Sequence, residues 1–220
     1  QRSALLAISR HFLNKMILDG WLKEYSCKIK ERTESVAVIM AGNLPLVGFH
    51  DLLAGVASGC RVTIKSSSKD PFLIKAIVNM LIETDEYWES RISFSDRPPV
   101  NADMVIATGS HSSAAFFESY YSKLPKIIRG TRFSFAVITG EESEEQIERL
   151  SQDVFLYYGM GCRSVSTLFI PFGYNINSLA ERLGRFSILG DNPYYMDSYR
   201  YQRAIATMSG EEFADGGSFI

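Results

Sequence analysis

The sequence has few cysteines, no excess of either charge and no long hydrophobic run. Its three cysteines, Cys27, Cys60 and Cys162, are odd in number and widely spaced, which argues against a disulfide framework and against a zinc site. Such cysteine usage fits a reducing compartment, so we expect a cytoplasmic protein. The net charge of −2 lacks the basic surplus that marks binding to nucleic acid or anionic membranes. No apolar run is long enough to span a membrane, and no signal-peptide pattern opens the chain.

What the sequence does contain is a repeated alternation of short apolar runs with helical segments. The first twenty-five or so residues predict an amphipathic helix that packs on a sheet. Further along the chain, strands are predicted at 35–41, 61–65, 102–109, 133–139 and 165–171, and helices at 46–59, 72–83, 110–122 and 143–159. This alternation is typical of an α/β fold, with an open, mostly parallel sheet and helices on its faces.

Two of the predicted strand ends carry residues suited to binding a phosphate. Lys65 ends one strand and is followed by a serine-rich turn, and Gly109 and Ser110 follow another. Ligands of such sheets bind at the carboxyl ends of the strands, where helix N-termini offer free N–H groups. The same residues are also ordinary turn and capping residues. No G-x-G-x-x-G follows a predicted strand, so the usual dinucleotide motif is absent.

A single cysteine stands at the joint between a predicted helix and a predicted strand. In "YYGMGCRSVSTLFIP" (157–171), Cys162 lies between a glycine and an arginine, with no second cysteine nearby. From these residues alone two roles are open. Unpaired cysteines are often buried packing residues, and a thiol held on a turn by small neighbours is also the arrangement of a nucleophile.

Four segments in order resemble one known family. They are "GNLPL", "LAGVASGCRVTIKSSSKDP", "ATGS" and "GMGC" ahead of "VSTLFIP", and together they extend from about Ser35 to about Pro171. Their order and spacing resemble the aldehyde dehydrogenase superfamily, in particular its acyl-CoA reductase branch, similar to the fatty-acid reductase of bacterial luminescence. A later segment, "DNPYYMDSYRYQRA" (191–204), resembles that branch more than ordinary aldehyde dehydrogenases.

The resemblance implies a domain organisation. It implies a Rossmann-type nucleotide-binding domain over residues 1–132. Residues 133–220 are then the first part of a second α/β catalytic lobe, which carries the thiol. We expect this second lobe to be incomplete in the chain. The resemblance also implies a homo-oligomer, with an acyl-transfer or ligase partner.

The resemblance further implies roles for individual residues. Cys162 matches the catalytic thiol, and Asn43 matches the asparagine that forms an oxyanion hole with the backbone N–H of the cysteine. Asn43 is also explained as a turn residue ahead of a proline. Lys65 matches the lysine that holds the adenosine ribose, and Gly109 and Ser110 match the pair at the pyrophosphate.

Two departures from the wider family refine the expected reaction. Many NAD-preferring members carry a glutamate where this chain has Ser68, followed by Lys69, so we expect NADPH in preference to NADH. The segment that holds the hydrolytic glutamate of aldehyde oxidisers corresponds to 126–135, which contains no acid. Without that base, water attack on a thioester is slow. Whether Arg129 and Arg132 in this segment are structural or approach the cofactor stays open.

The expected function is NADPH-dependent reduction of an acyl-CoA, with a fatty acyl group, to an aldehyde through a thioester on Cys162, with coenzyme A as leaving group. Two alternatives remain: a CoA-independent aldehyde dehydrogenase, and a non-catalytic nucleotide-binding module in which Cys162 packs.

Several other residues are expected to be structural. His50 and Asp51 form a poor metal site, and we expect them to be solvated or capping. Phe155, Tyr157 and Tyr158 are expected in the core in preference to a substrate tunnel, which is the alternative for them. We expect Cys60 to be buried, and the acidic run at 141–148 to be the solvated start of a helix.

Overall fold

The computed structural model describes residues 2–25 and 33–220 of the chain. Cys27 lies outside the described residues. The chain forms two compact units, Gln1–Thr131 and Arg132–Ile220, which are treated separately below. No helix of the described part is both long enough and apolar enough to cross a bilayer.

The first unit is built on a five-stranded sheet. Its strands are β1 (Ser35–Ile39), β2 (Arg61–Lys65), β3 (Ile92–Phe94), β4 (Met104–Thr108) and β5 (Lys126–Arg129), and its helices are α1 (Arg2–His11), α2 (Lys15–Glu24), α3 (Phe49–Ala57), α4 (Leu73–Thr84) and α5 (His111–Tyr120). The strand order is β3-β2-β1-β4-β5, and every neighbouring pair is parallel. This α/β architecture with a parallel sheet is the one that the sequence predicts.

Alternate residues of the central strands supply the cores on the two faces of the sheet. Val36 and Val38 of β1 point into one cluster, which includes residues of α3 and α4. Ala37 and Ile39 point into a second cluster, against which Phe117 of α5 packs. Because successive side chains of a strand point to opposite faces, a continuous apolar strand implies helices on both sides. The run at 35–41 therefore predicts its environment correctly.

The N-terminal segment differs from the single helix predicted. The predicted helix is interrupted before Asn14. The Asn14 side chain accepts hydrogen bonds from Met16 N (3.0 Å) and Ile17 N (3.4 Å) and so starts α2 as a separate helix. Asparagine is a strong N-cap. Ile8 of α1 packs against the core cluster that α3 and α4 share.

The second unit has two strands and three helices. They are β6 (Ser134–Val137), α6 (Glu144–Phe155), β7 (Val165–Phe169), α7 (Ile176–Gly184) and α8 (Pro193–Ser209). The two strands pair in parallel, and the helices α6 and α7 supply the core, with Ile147, Leu179 and Leu183 buried. Phe135, Val137 and Phe169 lie on the opposite side of these strands and are exposed.

Most predicted elements are present with ends shifted by a few residues. Four elements were not predicted: β3, β5, α7 and α8. The strand β3 has only three residues, and β5 (Lys126–Arg129) begins and ends with a cation. Such segments lack the long apolar run from which strands are recognised.

A carboxylate holds the turn that follows β6. Glu142 Oε1 accepts hydrogen bonds from Thr139 N (2.5 Å) and Thr139 Oγ1 (2.7 Å), and Oε2 accepts one from Gly140 N (3.1 Å). The Thr139 N–H is the main reason that the pKa of Glu142 lies below its ordinary value. Ser143 then starts α6 with a capping box to Gln146, as expected for the acidic run at a helix start.

We expect Ile64→Ala to lower the free energy of unfolding by about 2–5 kcal/mol, because the Ile64 side chain is fully buried in the first core. Ile127→Ala on β5, where the side chain is 48% exposed, is the matched control and should cost about 1 kcal/mol or less. Urea unfolding of both variants measures the difference. Equal losses would contradict the placement of Ile64 in the core.

The stability contributed by Glu142 should be lost in acid. Its folded-state pKa is depressed, so the contribution is complete above the unfolded-state pKa and disappears as the pH falls through the folded-state pKa. The urea midpoint of wild type should therefore exceed that of Glu142→Gln near pH 6, and the gap should close towards about pH 3. Glu141→Gln, which removes none of these hydrogen bonds, is the control. A gap that is constant with pH would show that the carboxylate charge is not involved.

Candidate active site

The carboxyl edge of the first sheet gathers the polar residues singled out in this unit. The chain begins in the middle of the sheet with β1, adds β2 and β3 on one side and then β4 and β5 on the other. The strand order therefore reverses between β1 and β4. In open parallel sheets, ligands bind in the crevice outside the strand ends at such a switch point. Asn43 follows β1, and Gly109 and Ser110 follow β4, on either side of it.

The loop that carries Asn43 is held against the turn after β2. Asn43 is exposed in a bend between β1 and α3. A side chain at Gly42 would collide with Ser67 Oγ, so the glycine permits the close approach of the two segments. Leu46 adopts a left-handed conformation (φ 55°), and its N–H donates to Asp70 Oδ2 at 3.2 Å. Sequence reasoning did not identify Asp70, although its place before a proline is typical of a turn carboxylate.

The turn after β2 presents two cations. Lys65, the last residue of β2, is half-buried, and its ammonium donates to the carbonyl of Ser66 at 3.2 Å. Ser68 and Lys69 are exposed further along the turn. An ammonium has three donors, so Lys65 retains capacity for further acceptors.

The turn after β4 has the form of an anion site at a helix start. Ser110 is the N-cap of α5, and its hydroxyl accepts from Ser113 N at 3.3 Å and lies 3.0 Å from the hydroxyls of both Ser112 and Ser113. A Cβ at Gly109 would come 2.8 Å from that of Ser113. The glycine is therefore needed for the tight turn into the helix, and the capping role of Ser110 is confirmed.

These residues fit a phosphate-containing nucleotide. The start of α5 offers N–H groups and three clustered hydroxyls, and Lys65 and Lys69 add positive charge at the end of β2, which β1 separates from β4 along the same edge. Backbone N–H groups at a helix N-terminus bind phosphate through hydrogen bonds and the helix dipole. The same edge has no group of three or more His, Cys, Asp or Glu among the described residues that would hold a metal ion.

An ion pair between a buried carboxylate and a half-buried arginine lies at the same edge, and it shows one expectation to be wrong. Asp51 in the first turn of α3 was expected to be solvated or capping, but it is only 4% exposed. Both of its oxygens accept from Arg129 Nη1, at 2.7 and 2.8 Å. Burial of a lone carboxylate would be costly, so the arginine explains why the carboxylate stays there. His50 beside it is exposed, as expected.

Cys162 lies in the second unit, on an exposed turn directly before β7. The chain enters this turn through three successive left-handed residues, Tyr157 (φ 57°), Tyr158 (φ 58°) and Gly159 (φ 69°). After them, Ser164 N donates to the carbonyl of Gly161 at 3.0 Å and closes the turn around Cys162. The thiol is therefore exposed and does not pack in the core, whereas Cys60 is buried as expected.

The three aromatic residues ahead of this turn differ in how far they are buried. Phe155 is buried in the core of the unit, as expected. Tyr157 is half-buried and Tyr158 is 37% exposed, so the expectation of a core position is wrong for Tyr158. The helix ends at Phe155, and the left-handed backbone turns the next side chains away from the helical positions assumed for them.

Comparison with solved structures defines the fold class. The chain is similar to aldehyde dehydrogenase C of Pseudomonas syringae, solved with NAD⁺ and octanal, with a TM-score of 0.62 and 14% identity over 82% of this chain and 43% of that one. It is also similar to an oxidoreductase of Marinobacter aquaeolei, with a TM-score of 0.64 and 15% identity over 80% of this chain and 42% of that one. The architecture is thus that of the aldehyde dehydrogenase fold.

The family model of acyl-CoA reductase (LuxC) matches residues 1–185, and the chain belongs to this family. It is 27% identical over 207 residues to a long-chain acyl-protein thioester reductase of Aliivibrio fischeri, a match that covers 84% of this chain and 43% of the relative. The corresponding protein of Photobacterium phosphoreum is 25% identical over 191 residues, with 80% and 38% covered. The chain therefore spans less than half the length of these relatives.

Native thiol labelling should distinguish Cys162 from Cys60. In a Cys27→Ser background, we expect iodoacetamide to modify Cys162 about tenfold faster or more than Cys60, since the first is exposed and the second is buried. Peptide mass spectrometry over a time course measures both rates, and Cys162→Ala should remove the fast phase. Comparable rates on the folded chain would show that the turn does not expose the thiol.

Proposed function

We propose that this chain carries the nucleotide-binding residues and the catalytic thiol of a reductase that converts a long-chain acyl thioester to an aldehyde. The observation that carries the proposal is the exposure of Cys162 on a closed turn before β7, in a chain that belongs to the acyl-CoA reductase family. Cys60, by contrast, is buried in the core of the first unit.

In the proposed first step, the Cys162 sulfur attacks the carbonyl carbon of the substrate. A new C–S bond forms, the bond to the carrier sulfur breaks, and the carrier leaves as a thiol with the proton that Cys162 gives up. The developing oxyanion needs hydrogen-bond donors. The backbone N–H of Cys162 is one proposed donor, and the resemblance gives the side-chain amide of Asn43 the same role.

The second step is reduction of the thioester. A nicotinamide cofactor, when bound, would supply the hydride for this reduction. With that hydride and one proton, the acyl group would leave as an aldehyde and Cys162 would regain its thiol. The residues proposed to bind this cofactor are Lys65 at the ribose and Gly109 and Ser110 at the pyrophosphate. Ser68 and Lys69 lie exposed in the turn after β2, where a cation favours a 2′-phosphate, so NADPH is the proposed cofactor.

Hydrolysis of the acyl-enzyme is disfavoured by the residues around β5. The segment 126–135 contains no acid. Two carboxylates contact it. Glu118 pairs with Lys126 at the first residue of β5, on the amino edge of the sheet. Asp51, at the carboxyl edge, is buried and bound at both oxygens by Arg129 Nη1. A base that activates water must be able to accept the proton of that water. This arrangement supports a reductase over an aldehyde-oxidising relative.

The carrier of the acyl group has two candidates. The family model describes acyl-CoA reductases, and the relatives named above are acyl-protein thioester reductases. The proposed chemistry at Cys162 is the same for both, since each presents a thioester. We propose acyl-CoA as a minimal substrate and an acyl-transfer protein as the partner that delivers the acyl group; the homo-oligomer stays a prediction.

Acylation of the thiol tests the proposal. Incubation of the chain with tetradecanoyl-CoA should add the mass of one acyl group, because attack by Cys162 leaves a covalent thioester. Intact-mass spectrometry measures the adduct. Cys162→Ala should abolish it, and Cys60→Ala, which removes the buried thiol, should retain it.

Neutral hydroxylamine should then remove the added mass, since it cleaves thioesters. An adduct of equal size in Cys162→Ala would show that another residue reacts. A folded wild-type chain that binds NADPH but forms no adduct would contradict the proposal for this chain and favour the non-catalytic nucleotide-binding module.

A further inference from the structure

The backbone of Arg129 lies beside the turn proposed to hold the pyrophosphate. Arg129 is the last residue of β5 and pairs in register with Thr108 of β4. Its carbonyl accepts a hydrogen bond from Gly109 N at 3.0 Å. Arg129 is therefore at the carboxyl edge of the sheet, directly next to Gly109, and its side chain starts from the place where the ligand is expected.

The Arg129 side chain uses only one of its three nitrogen atoms in hydrogen bonds to the described residues. A guanidinium has five N–H donors, and a purely structural pair with a carboxylate is commonly a two-nitrogen fork. Here one nitrogen, Nη1, contacts both oxygens of Asp51. No hydrogen bond joins Nε or Nη2 to a described residue. The Arg129 side chain is 35% exposed, whereas that of Asp51 is 6% exposed.

This end-on geometry separates the tasks of the two residues. Asp51, fixed in the first turn of α3, holds Nη1 and thereby fixes the direction of the guanidinium. The remaining N–H groups keep their capacity to bind a second acceptor on the exposed side. Arginine suits such a role because its planar group binds phosphate with directed, charge-assisted hydrogen bonds.

We propose that Arg129 binds the pyrophosphate of the nicotinamide cofactor and that Asp51 is its positioning residue. This inference rests on the proposed function, since it concerns the same cofactor. It adds to the Lys65 and Gly109–Ser110 subsites a cation from the neighbouring strand. The competing role is a structural link between α3 and β5, which would affect stability without acting on the phosphates.

Equilibrium binding to two ligands separates these roles. NADPH contains the pyrophosphate, whereas adenosine 2′-monophosphate retains the adenosine and the 2′-phosphate but lacks it. For Arg129→Gln we expect the Kd for NADPH, measured by its fluorescence, to rise about tenfold or more, because a charge-assisted hydrogen bond is lost. The affinity for adenosine 2′-monophosphate, measured by ligand-observed NMR, should stay unchanged.

The matched charge control is Arg61→Ala. Arg61 is exposed at the first residue of β2, on the amino edge of the same sheet, so its removal changes the net charge by the same amount away from the proposed site. We expect no change in either affinity. Equal weakening by Arg61→Ala and Arg129→Gln would show that the effect is one of overall charge and would overturn the proposal.

Arg129→Lys keeps the test valid where Arg129→Gln fails to fold, because lysine still offers Asp51 a counter-ion. A single ammonium does not reproduce the guanidinium geometry, so we expect a rise of several-fold in the Kd for NADPH alone. An unchanged Kd for NADPH in Arg129→Lys, or equal weakening of both ligands, would overturn the inference and leave the structural link. If the wild-type chain itself binds no NADPH, the proposed cofactor is wrong, and the role of Arg129 is wrong with it. If the wild-type chain binds NADPH and the Arg129 variants bind it equally well, only the role of Arg129 is wrong.

Discussion

The parallel direction of all five strands in the first unit is the constraint on which its site depends. Parallel pairing puts the carboxyl ends of β1, β2, β4 and β5 at one edge, although the residues that follow them are far apart in the sequence. Four different connections therefore deliver polar groups to the same side of the sheet. A single antiparallel strand would send its loop to the other edge and remove one subsite, whatever residues that loop contained.

This constraint explains why much of the first unit was predictable. Apolar runs such as 35–41 identify buried strands, and strand–helix alternation implies parallel order, so the positions of Lys65 and Gly109 at one edge follow from local patterns. The capping role of Ser110 follows in the same way, from a serine just before a helical segment. Such predictions need only neighbouring residues.

What could not be predicted depends on pairs distant in the chain. Asp51 and Arg129 are separated by 78 positions in the sequence. Each is of a charged residue type, which by itself predicts a position on the surface. Only the fold, which brings the first turn of α3 and the last residue of β5 to the same edge of the sheet, makes one a buried carboxylate and the other its counter-ion. The link between Leu46 and Asp70 is similar, since neither residue signals that two loops share one hydrogen bond.

In the second unit, the exposure of Cys162 depends on backbone conformation that the residue types do not announce. Tyrosines in the left-handed region are uncommon, and each costs about 1–2 kcal/mol relative to right-handed backbone. A helical pattern that continues through 143–159 gave no sign of this reversal. The strained residues lie directly before the turn that carries Cys162. Strained backbone is frequently found at functional sites.

Asp70 connects two segments of the first unit through hydrogen bonds to its carboxylate. Its Oδ2 accepts from Leu46 in the loop of Asn43, and its Oδ1 accepts from Leu73 N at the start of α4. The turn that contains Lys65, Ser68 and Lys69 directly precedes Asp70 in the sequence. A ligand that fixed this turn would restrain Asp70 and, through it, the loop of Asn43, and thermodynamic linkage would make that effect reciprocal. One carboxylate thus joins the turn proposed to bind the nucleotide to the loop that carries the proposed amide donor.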